Sequence, residues 1–536
     1  MKRLFVFYLL IFTVLLSACD FGGDSAAKDG EKVINLSIAT DPPALHPLLS
    51  TDTTSQILVQ NAFEGLTRID KDGEVTNALA EDIQESEDKK TYTYTIRDAN
   101  WSNGDKVTAQ DFEYAWKWAL NPENGADSAY LLYYIEGAQD YNTGEGNEED
   151  VGIKALDDKT LEVTLNNPTP YFNELVSNTI YTPLNHKYVE ENPDWHKNIG
   201  TEEYVVNGPF EVSEFKSSDK IVLKKRDDYW DKDNVDLDVA NINIIDSAAT
   251  ALKEFDSGNL DYLGSSYNTI DLNALDRFKE EDKLDVQDQV ATYMLVFNTE
   301  EDIINNKNIR KALTIAIDRE GLIENVTKGE ETPATGLVPQ TVKGFEGPTG
   351  YFESNDLDEA REALNKGIEE LGLNGPEDIK ISLSYNTSEA HAASMQYIQQ
   401  GWQDNLGIDA TLDNNEWQVY LQKLSEGDFQ AGRLGWTGDV NDPEYFLNIY
   451  KNLGGNNQTR WHNEEYANLL DQSAAETDPD KRLELNKEAH KVFVNDYPIA
   501  PIYHYTQLSV KQDRVKEMPA DMFGKAQLKY VKLEDE

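Results

Sequence analysis

The chain has 536 residues, with 99 acidic against 48 basic side chains and a formal net charge of −51. A surface this acidic repels phosphate backbones and anionic lipid headgroups, which argues against nucleic-acid binding. A hydrophobic content of 39% and an aromatic content of 10% exclude a largely disordered chain, and the length predicts several domains.

Residues 1–18 have the pattern of a secretory signal peptide. Lys2 and Arg3 precede an apolar run from Leu4 to Leu16, which is too short to cross a hydrocarbon core of about 30 Å as a helix. The order Leu16-Ser17-Ala18-Cys19 resembles a bacterial lipobox, in which the cysteine is diacylated and becomes the first mature residue. The alternative is an ordinary secretory cleavage near the same place, which leaves the cysteine without a role.

Cys19 is the only cysteine of the chain, so the exported protein has no internal disulfide and depends on its core for stability. Residues 19–32 are predicted to be the lipidated cysteine and a flexible tether, which reaches at most about 45 Å when fully extended. The sequence therefore predicts a body attached through lipid alone to the outer face of the plasma membrane. This is the cell surface in a Gram-positive type of bacterium and the periplasm otherwise.

Strand and helix patterns alternate irregularly along the rest of the chain. Polar and apolar residues alternate in Thr91–Arg97, Leu161–Leu165 and Ile221–Lys225, as in half-buried strands. Thr108 and Asp111 have the spacing of a capping box, which predicts that a helix begins there.

Four helices are predicted from apolar residues at i, i+3, i+4 and i+7. Their inward faces are Phe112, Ala115, Trp116 and Ala119; Ile309, Ala312, Leu313 and Ala316; Met395, Ile398, Trp402 and Leu406; and Leu485, Ala489, Val492 and Phe493. Gly407 is placed to end the third helix and Asp478-Pro479 to begin the fourth. This mixture predicts an α/β or α+β body.

The common catalytic signatures are missing from the sequence. It contains no phosphate-binding G-x-x-x-x-G-K-[ST] loop, no H-E-x-x-H pair and no G-x-S-x-G elbow. The seven histidines are scattered, so neither a metal site nor a cofactor is predicted. Asp231–Asp236 superficially resembles a calcium loop but lacks the oxygen ligand at its fifth position, and we interpret it as a surface turn.

Four segments in a fixed order indicate a family. They are Phe63-Glu-Gly-Leu66; Trp101 to Lys117; Asn207-Gly-Pro-Phe210 with Asp228-Tyr-Trp230; and Gly435-Trp-Thr-Gly-Asp439 before Asn441-Asp-Pro443. In this order and spacing they resemble the large extracytoplasmic solute-binding proteins that serve oligopeptide and dipeptide ABC importers. The similarity runs from about residue 33 to the C-terminus.

This resemblance implies an α/β fold of the two-lobed, Venus-flytrap type of periplasmic binding protein, with an extra third domain and mixed sheets flanked by helices. The two lobes close over the ligand. Lobe I is placed at residues 31–60, 180–290 and 505–536, an outer buttress domain at 61–179, and lobe II at 291–504.

A receptor for many peptides must bind what all peptides share, which is the backbone and the charged ends. A buried ammonium needs a carboxylate, because an unpaired buried charge is strongly destabilising. In the family an aspartate just past a strand supplies it, and the matching residue here is Asp439. Without the family, Asp439 is most simply a turn-capping side chain.

Neighbouring residues match further family positions. Gly435 allows close approach between a strand and a ligand. Trp436 and Trp417 match walls of side-chain pockets, with core packing as the alternative. Arg433 matches a position that reaches a peptide's C-terminal carboxylate, with an ion pair to an acidic side chain as the alternative.

The remaining candidates match polar contacts of the family. They are Tyr267, Asn268 and Tyr505, although Thr269 stands where the family tends to have another asparagine. Asp41-Pro42-Pro43 matches an edge that supplies backbone bonds to the peptide, and prolines accept but do not donate hydrogen bonds. Either the pairing of the ligand shifts by a residue, or this edge contributes acceptors only.

These features predict a lipid-anchored, monomeric receptor that captures oligopeptides outside the cell and delivers them to the permease and ATPase subunits of an ABC importer. It is expected to be neither an enzyme nor a cofactor protein. The same fold also serves dipeptides, signalling peptides, oligosaccharides and nickel complexes, which stay open as alternatives. A surface-anchored hydrolase or adhesin is an alternative of another class.

Overall fold

The computed structural model describes residues 30–264, 267–347 and 350–534. The predictions for the signal peptide, for Cys19 and for residues 20–29 of the tether lie outside this part of the chain.

The strands are numbered in chain order. They are β1 Val33–Ile38, β2 Thr67–Ile69, β3 Val75–Asn77, β4 Ala80–Glu85, β5 Thr91–Ile96, β6 Ile153–Asp157, β7 Thr160–Thr164, β8 Phe210–Lys216, β9 Lys220–Lys225, β10 Val239–Ile244, β11 Tyr262–Gly264, β12 Asp285–Phe297, β13 Thr332–Pro333, β14 Lys380–Asn386, β15 Asp409–Asn415, β16 Ala431–Thr437, β17 Ile499–Lys511, β18 Val515–Glu517 and β19 Lys532–Leu533.

The α-helices are numbered in the same way. They are α1 Thr53–Ala62, α2 Ala109–Leu120, α3 Ala138–Thr143, α4 Phe172–Leu175, α5 His186–Glu191, α6 Ala248–Asp256, α7 Leu275–Glu280, α8 Lys307–Ile315, α9 Arg319–Leu322, α10 Leu357–Leu371, α11 Glu389–Leu406, α12 Trp417–Glu426, α13 Pro443–Leu447, α14 Glu464–Ala475 and α15 Pro479–Asp496.

The larger sheets form three separate units. One four-stranded sheet has the order β1-β10-β9-β8, and a second has the order β4-β5-β7-β6. A seven-stranded sheet has the order β11-β17-β12-β16-β14-β15, with β13 paired to β17. The first and third sheets are mixed, because β1 runs parallel to β10 and β14 runs parallel to both β15 and β16.

The predicted strands are confirmed as β5, β7 and β9, each within one residue of its expected bounds. Helix α2 begins as its sequence predicts, because the Asp111 carboxylate accepts the Thr108 N–H at 2.9 Å. Gly407 ends α11 with a φ of 71°, in the left-handed region that favours glycine.

Helix α15 differs from its prediction. Its buried residues are Arg482, Asn486, Ala489, His490, Phe493 and Val494. The predicted Leu485 and Val492 are only half-buried, because polar side chains with internal partners occupy the inward positions. Asn486, for example, accepts the hydroxyl of the buried Ser473 at 3.0 Å.

Two of the four family segments meet around one buried carboxylate, Glu64. Its oxygens accept the Tyr229 hydroxyl at 2.6 Å, the Trp230 indole N–H at 2.5 Å and the Arg68 guanidinium at 3.1 Å. The Asn207 amide bonds both the N–H and the carbonyl oxygen of Glu64. In these two segments, the residues that carry the resemblance form a buried hydrogen-bond network.

Two large hydrophobic cores organise the chain. The first core packs the sheets β1-β10-β9-β8 and β4-β5-β7-β6 together and also takes in Val440 and Tyr445. The second core contains residues from Val290 to Tyr503 around the seven-stranded sheet. A small third cluster lies between α6, α7 and β17.

The thirteen-residue strands β12 and β17 run out of the second core. Their antiparallel register breaks between the pairs Asp288↔Thr506 and Thr292↔His504, where the burial of β12 also changes. Before the break β12 is exposed, and after it every residue is buried. The break therefore divides β12 into an exposed first part and a buried second part.

Candidate functional site

A cavity of about 590 Å³ lies where the two large cores meet. Its lining comes from segments 47–56, 127–131, 178–180, 437–439 and 523–525, together with Gln289. The charged residues of the lining are Asp127, Asp439 and Lys525. Its volume falls within the usual range for small-ligand sites.

Asp439 follows the end of β16 and is half-buried at this cavity. The preceding Gly438 N–H donates to the carbonyl oxygen of Val290 at 2.8 Å, which ties the end of β16 to the register break of β12. Within the described residues, the Asp439 carboxylate forms no ion pair. Its side chain accepts a hydrogen bond from the hydroxyl of Tyr445.

The Tyr445 hydroxyl stays protonated and donating at neutral pH. Burial, followed by the negative charge of Asp439, raises the pKa of Tyr445 well above its ordinary value. Tyr445 satisfies one carboxylate oxygen of Asp439 without neutralising its charge. The site therefore presents a carboxylate that no cation of the described residues pairs with.

Arg433 lies two residues before Gly435 on β16 and is held by neutral groups. Its guanidinium donates to the Asn386 side-chain oxygen and to the Tyr505 hydroxyl, both at 3.2 Å, and lies 4.7 Å from the Tyr293 ring centroid. Among the described residues it has no acidic partner, and its buried Nε has no acceptor. The alternative interpretation, in which Arg433 pairs with an acidic side chain of the protein, is therefore not supported by the described residues.

The close approach at Gly435 involves the protein itself. A Cβ at this position would lie 2.6 Å from the Tyr505 hydroxyl oxygen, closer than real Cβ contacts allow. Gly435 thus lets Tyr505 reach Arg433 across the neighbouring strands. Glycine here organises the Arg433 cluster, whatever it also allows for a ligand.

The two tryptophans occupy different environments. Trp436 is half-buried, packs against both large cores, and has an indole N–H without a hydrogen-bond partner among the described residues. Trp417 begins α12 and is 41% exposed, with its ring 6.3 Å from that of Tyr420. Core packing therefore explains the position of much of the Trp436 side chain, but little of the Trp417 side chain.

Of the predicted binding residues, Asp439 alone lines the 590 Å³ cavity. The others are not part of its lining: Asp41, Tyr267, Asn268, Trp417, Arg433, Gly435, Trp436 and Tyr505. Tyr267 is buried and its hydroxyl has no described partner, whereas the Asn268 amide donates to the Ser37 hydroxyl at 3.1 Å. The Asp41 carboxylate accepts the Ser218 N–H at 2.9 Å and so joins two surface loops.

Sequence reasoning missed the residues that surround Asp439 from other segments. They are Tyr130, Glu174, Asn178, Tyr445 and Lys525. Only Tyr445 could have been placed near Asp439 from the sequence. It follows the helix cap Asp442 by three residues, so it lies in the first turn of the helix that comes directly after the Asp439 segment. The others come from segments without any recognisable motif.

A metal site or a membrane-spanning helix would show as a pattern of side chains among the described residues. No group of three or more histidine, cysteine, aspartate or glutamate side chains within them is arranged to hold a metal ion. No helix between residues 30 and 534, as far as the structure describes it, is long and apolar enough to cross a bilayer. Asp231–Asp236, the calcium-like segment, forms a short turn in which Asp231 pairs with Lys529 at 2.7 Å.

Known proteins resemble the chain over nearly its whole length. The chain is 48% identical over 518 residues to the oligopeptide-binding protein OppA of Bacillus subtilis, covering 95% of each chain. It is 38% identical over 513 residues to the dipeptide-binding protein DppE of the same organism, covering 95% of this chain and 93% of that one.

Solved structures agree with the sequence comparisons. Peptide-bound OppA of Listeria monocytogenes superposes with a TM-score of 0.75 at 31% identity, covering 94% of this chain and 99% of that one. The murein tripeptide binding protein MppA of Escherichia coli superposes with a TM-score of 0.79 at 27% identity, covering 94% of this chain and 98% of that one. Both are two-lobed binding proteins, and the two-lobed α/β fold implied by the sequence is confirmed. Residues 74–458 match the bacterial extracellular solute-binding proteins, family 5, and the chain belongs to this family.

Proposed function

We propose that this chain is a receptor that captures oligopeptides outside the cell and delivers them to an ABC importer. The observation that carries the proposal is Asp439, a carboxylate without a described counter-ion at a cavity between the two large cores. The relatives support it, because OppA of Bacillus subtilis is named an oligopeptide-binding protein and the Listeria OppA structure contains a peptide.

The peptide is held by its two ends and its backbone. Asp439 receives the ammonium group, and the Arg433 guanidinium, which has no acidic partner among the described residues, receives a carboxylate in a planar fork. Trp436 and Trp417 form walls for side chains, and Tyr505 fixes Arg433. The extended backbone pairs in the manner of an added strand.

The division into lobes follows the two cores. Residues 31–60, 180–290 and 505–536 form lobe I, residues 61–179 the buttress domain, and residues 291–504 lobe II. The sheet β1-β10-β9-β8 lies within lobe I and the sheet β4-β5-β7-β6 within the buttress domain, which supports this division. The seven-stranded sheet joins lobe II to lobe I through β12 and β17. Cys19 carries the lipid that holds the monomeric receptor at the membrane, beside the permease and ATPase subunits of the importer. The receptor binds its ligand without breaking bonds.

Titration calorimetry with a free tripeptide and its N-acetylated form tests the ammonium site. We expect the free peptide to bind far more tightly. Asp439→Ala should cost about 2–5 kcal/mol of binding free energy for the free peptide, as for a truncated buried charge pair, and little for the acetylated one.

Glu85→Gln is the matched control. The Glu85 carboxylate also accepts a tyrosine hydroxyl, that of Tyr92 at 2.8 Å, but lies on the exposed β4. Its affinities should equal those of the wild type. Equal affinity for free and acetylated peptides, unchanged by Asp439→Ala, would overturn the proposal, and tight binding of an oligosaccharide instead would replace the ligand class.

A further inference from the structure

The loop that carries Asp439 is hydrogen-bonded to residues 174–178, a segment of the proposed buttress domain. This Asp439 loop, residues 439–442, connects β16 to α13 in the chain of the second core. The Asn178 side-chain amide donates to the Asp439 carbonyl oxygen at 3.2 Å, and the Asn441 N–H donates to Glu174 Oε1 at 2.5 Å. Val440 between them is fully buried in the first core.

Asn178 is itself held in one orientation. Its side-chain oxygen accepts the Lys525 ammonium at 3.4 Å, so its amide nitrogen is left to face Asp439. Both Asn178 and Lys525 line the 590 Å³ cavity. The Asp439 backbone is thus positioned by a relay that begins in the C-terminal segment.

Glu174, at the end of α4, is surrounded by other carboxylates. Glu74 from the β2-β3 turn, Asp442 from the Asp439 loop and Asp521 from the C-terminal segment all face it. The nearby cations are already engaged, since Arg482 bonds Asp442 at 2.8 Å and Lys525 faces Asp521. Within the described residues Glu174 has no cationic partner, and burial first raises its pKa to about 7.

We propose that Glu174 and Asn178 are positioning residues for Asp439: they dock the Asp439 loop onto the buttress segment and so set the affinity for the ammonium group of the peptide. This inference rests on the proposed function. It assigns to the outer domain, through two named side chains, a direct part in ligand affinity.

The docked state is favoured at lower pH, because burial raises the pKa of Glu174 more than the Asn441 N–H, which favours the charged carboxylate, lowers it. Glu174 has a pKa of about 7 when docked and returns towards its ordinary 4.5 when the contact opens and water reaches it. The docked state therefore holds the proton more tightly, and its stability is lost as pH rises through about 7. Affinity that depends on docking should fall by up to about tenfold between about pH 6 and pH 8.

Glu174→Gln isolates this effect from titration of the peptide's own amine. The glutamine oxygen still accepts the Asn441 N–H but does not titrate, so this variant should bind more tightly than the wild type, by a factor that grows up to about tenfold between about pH 6 and pH 8. Glu174→Ala and Asn178→Ala each remove one hydrogen bond and should raise the Kd about three- to tenfold at both pH values.

The measurement is calorimetry of free and N-acetylated tripeptides on the full chain, with thermal unfolding to verify that each variant is folded. Effects confined to the free peptide support positioning through Asp439. Glu136→Gln, an exposed carboxylate of the same domain, is the control and should change nothing. If the wild type prefers the free peptide while all three variants keep its affinities and pH profile, the inference is wrong and the proposed function stands. If the wild type shows no such preference, both fail.

Discussion

Gly435 and Tyr505 form a pair whose sizes are matched. The missing Cβ of Gly435 leaves room for the Tyr505 hydroxyl, which would otherwise lie 2.6 Å away, and that hydroxyl accepts from Arg433 at 3.2 Å. The next atoms, of the Tyr505 ring and of Arg433, would lie at 3.5 and 3.4 Å from the Cβ, which is ordinary contact. The strain of a larger residue is therefore concentrated on a single oxygen.

Gly435→Ala should weaken peptide binding because it displaces Tyr505 and with it Arg433, at a cost of about 1–3 kcal/mol, as for an overpacked site. Tyr505→Phe alone loses one hydrogen bond, worth about 0.5–1.5 kcal/mol. The double variant should bind better than the sum of the two single effects, because phenylalanine removes the clashing oxygen. Calorimetry of the wild type, the two single variants and the double variant completes the double-mutant cycle. If the two changes in binding free energy simply add, the proposed contact between Gly435 and Tyr505 is wrong.

At this scale the sequence predicts some residues and misses others for a physical reason. Asp439 and Arg433 could be found because they belong to one short segment around a strand end. Glu174, Asn178 and Lys525 come from distant parts of the chain, and only the fold brings them to the same loop.

Helix α15 shows how an element is stabilised by buried polar groups. Arg482 on its inner face bonds both oxygens of Asp442 at 2.8 Å and also pairs with Glu444. The side chains are 9%, 12% and 8% exposed, so the charges are almost entirely removed from water. The cluster holds α13, and with it the end of the Asp439 loop, against α15.

Arg482→Met should lower the free energy of unfolding by about 3–5 kcal/mol, because it leaves two buried carboxylates without a cation. Adding Asp442→Asn and Glu444→Gln should restore most of the loss, since asparagine also caps α13. Denaturant unfolding measures both.

Lys481→Met is the control for that experiment. Lys481 is the neighbouring residue of α15, but its side chain is 70% exposed. Its ammonium lies 3.7 Å from the Asp478 carboxylate, which is a long distance for an ion pair. An exposed pair of this kind contributes at most about 1 kcal/mol. An Arg482 variant as mild as the Lys481 variant would show that the buried cluster does not stabilise the fold.

Strands and helix faces were predicted correctly where the buried side chains are the hydrophobic ones. The prediction was wrong where polar side chains are buried. The alternating pattern of Thr91–Arg97 predicted β5 because its inward residues are apolar. The face of α15 was misjudged because Arg482, Asn486 and His490 are buried with internal partners. The register break of β12 and β17 could not be predicted from the sequence. It depends on how two strands about 200 residues apart pair with each other, and local residue preferences do not determine that pairing.

The whole molecule carries a formal charge of −51, and removal of residues 1–18 takes away two basic side chains and no acidic ones, which leaves −53. Ion pairs such as Lys197 with Asp194 engage part of the acidic surface, but basic residues are too few to neutralise it. The field around the cavity is therefore negative on approach, with Asp127 and Asp439 against Lys525 inside.

Cationic peptides should associate faster than anionic peptides of equal length at low salt. Electrostatic steering can change association rates by tenfold or more, and a Debye length of about 30 Å at 0.01 M salt lets the distant surface contribute. Raising the salt to about 1 M shortens that length to about 3 Å, so the rates of the two classes should converge while a neutral peptide stays nearly constant. Stopped-flow association kinetics with the three peptides over this salt range measures the effect. Because steering acts before any contact with Arg433 or Asp439, the ratio should persist in Asp439→Ala wherever binding is still detectable, and equal rates at low salt would show that the acidic surface plays no part in capture.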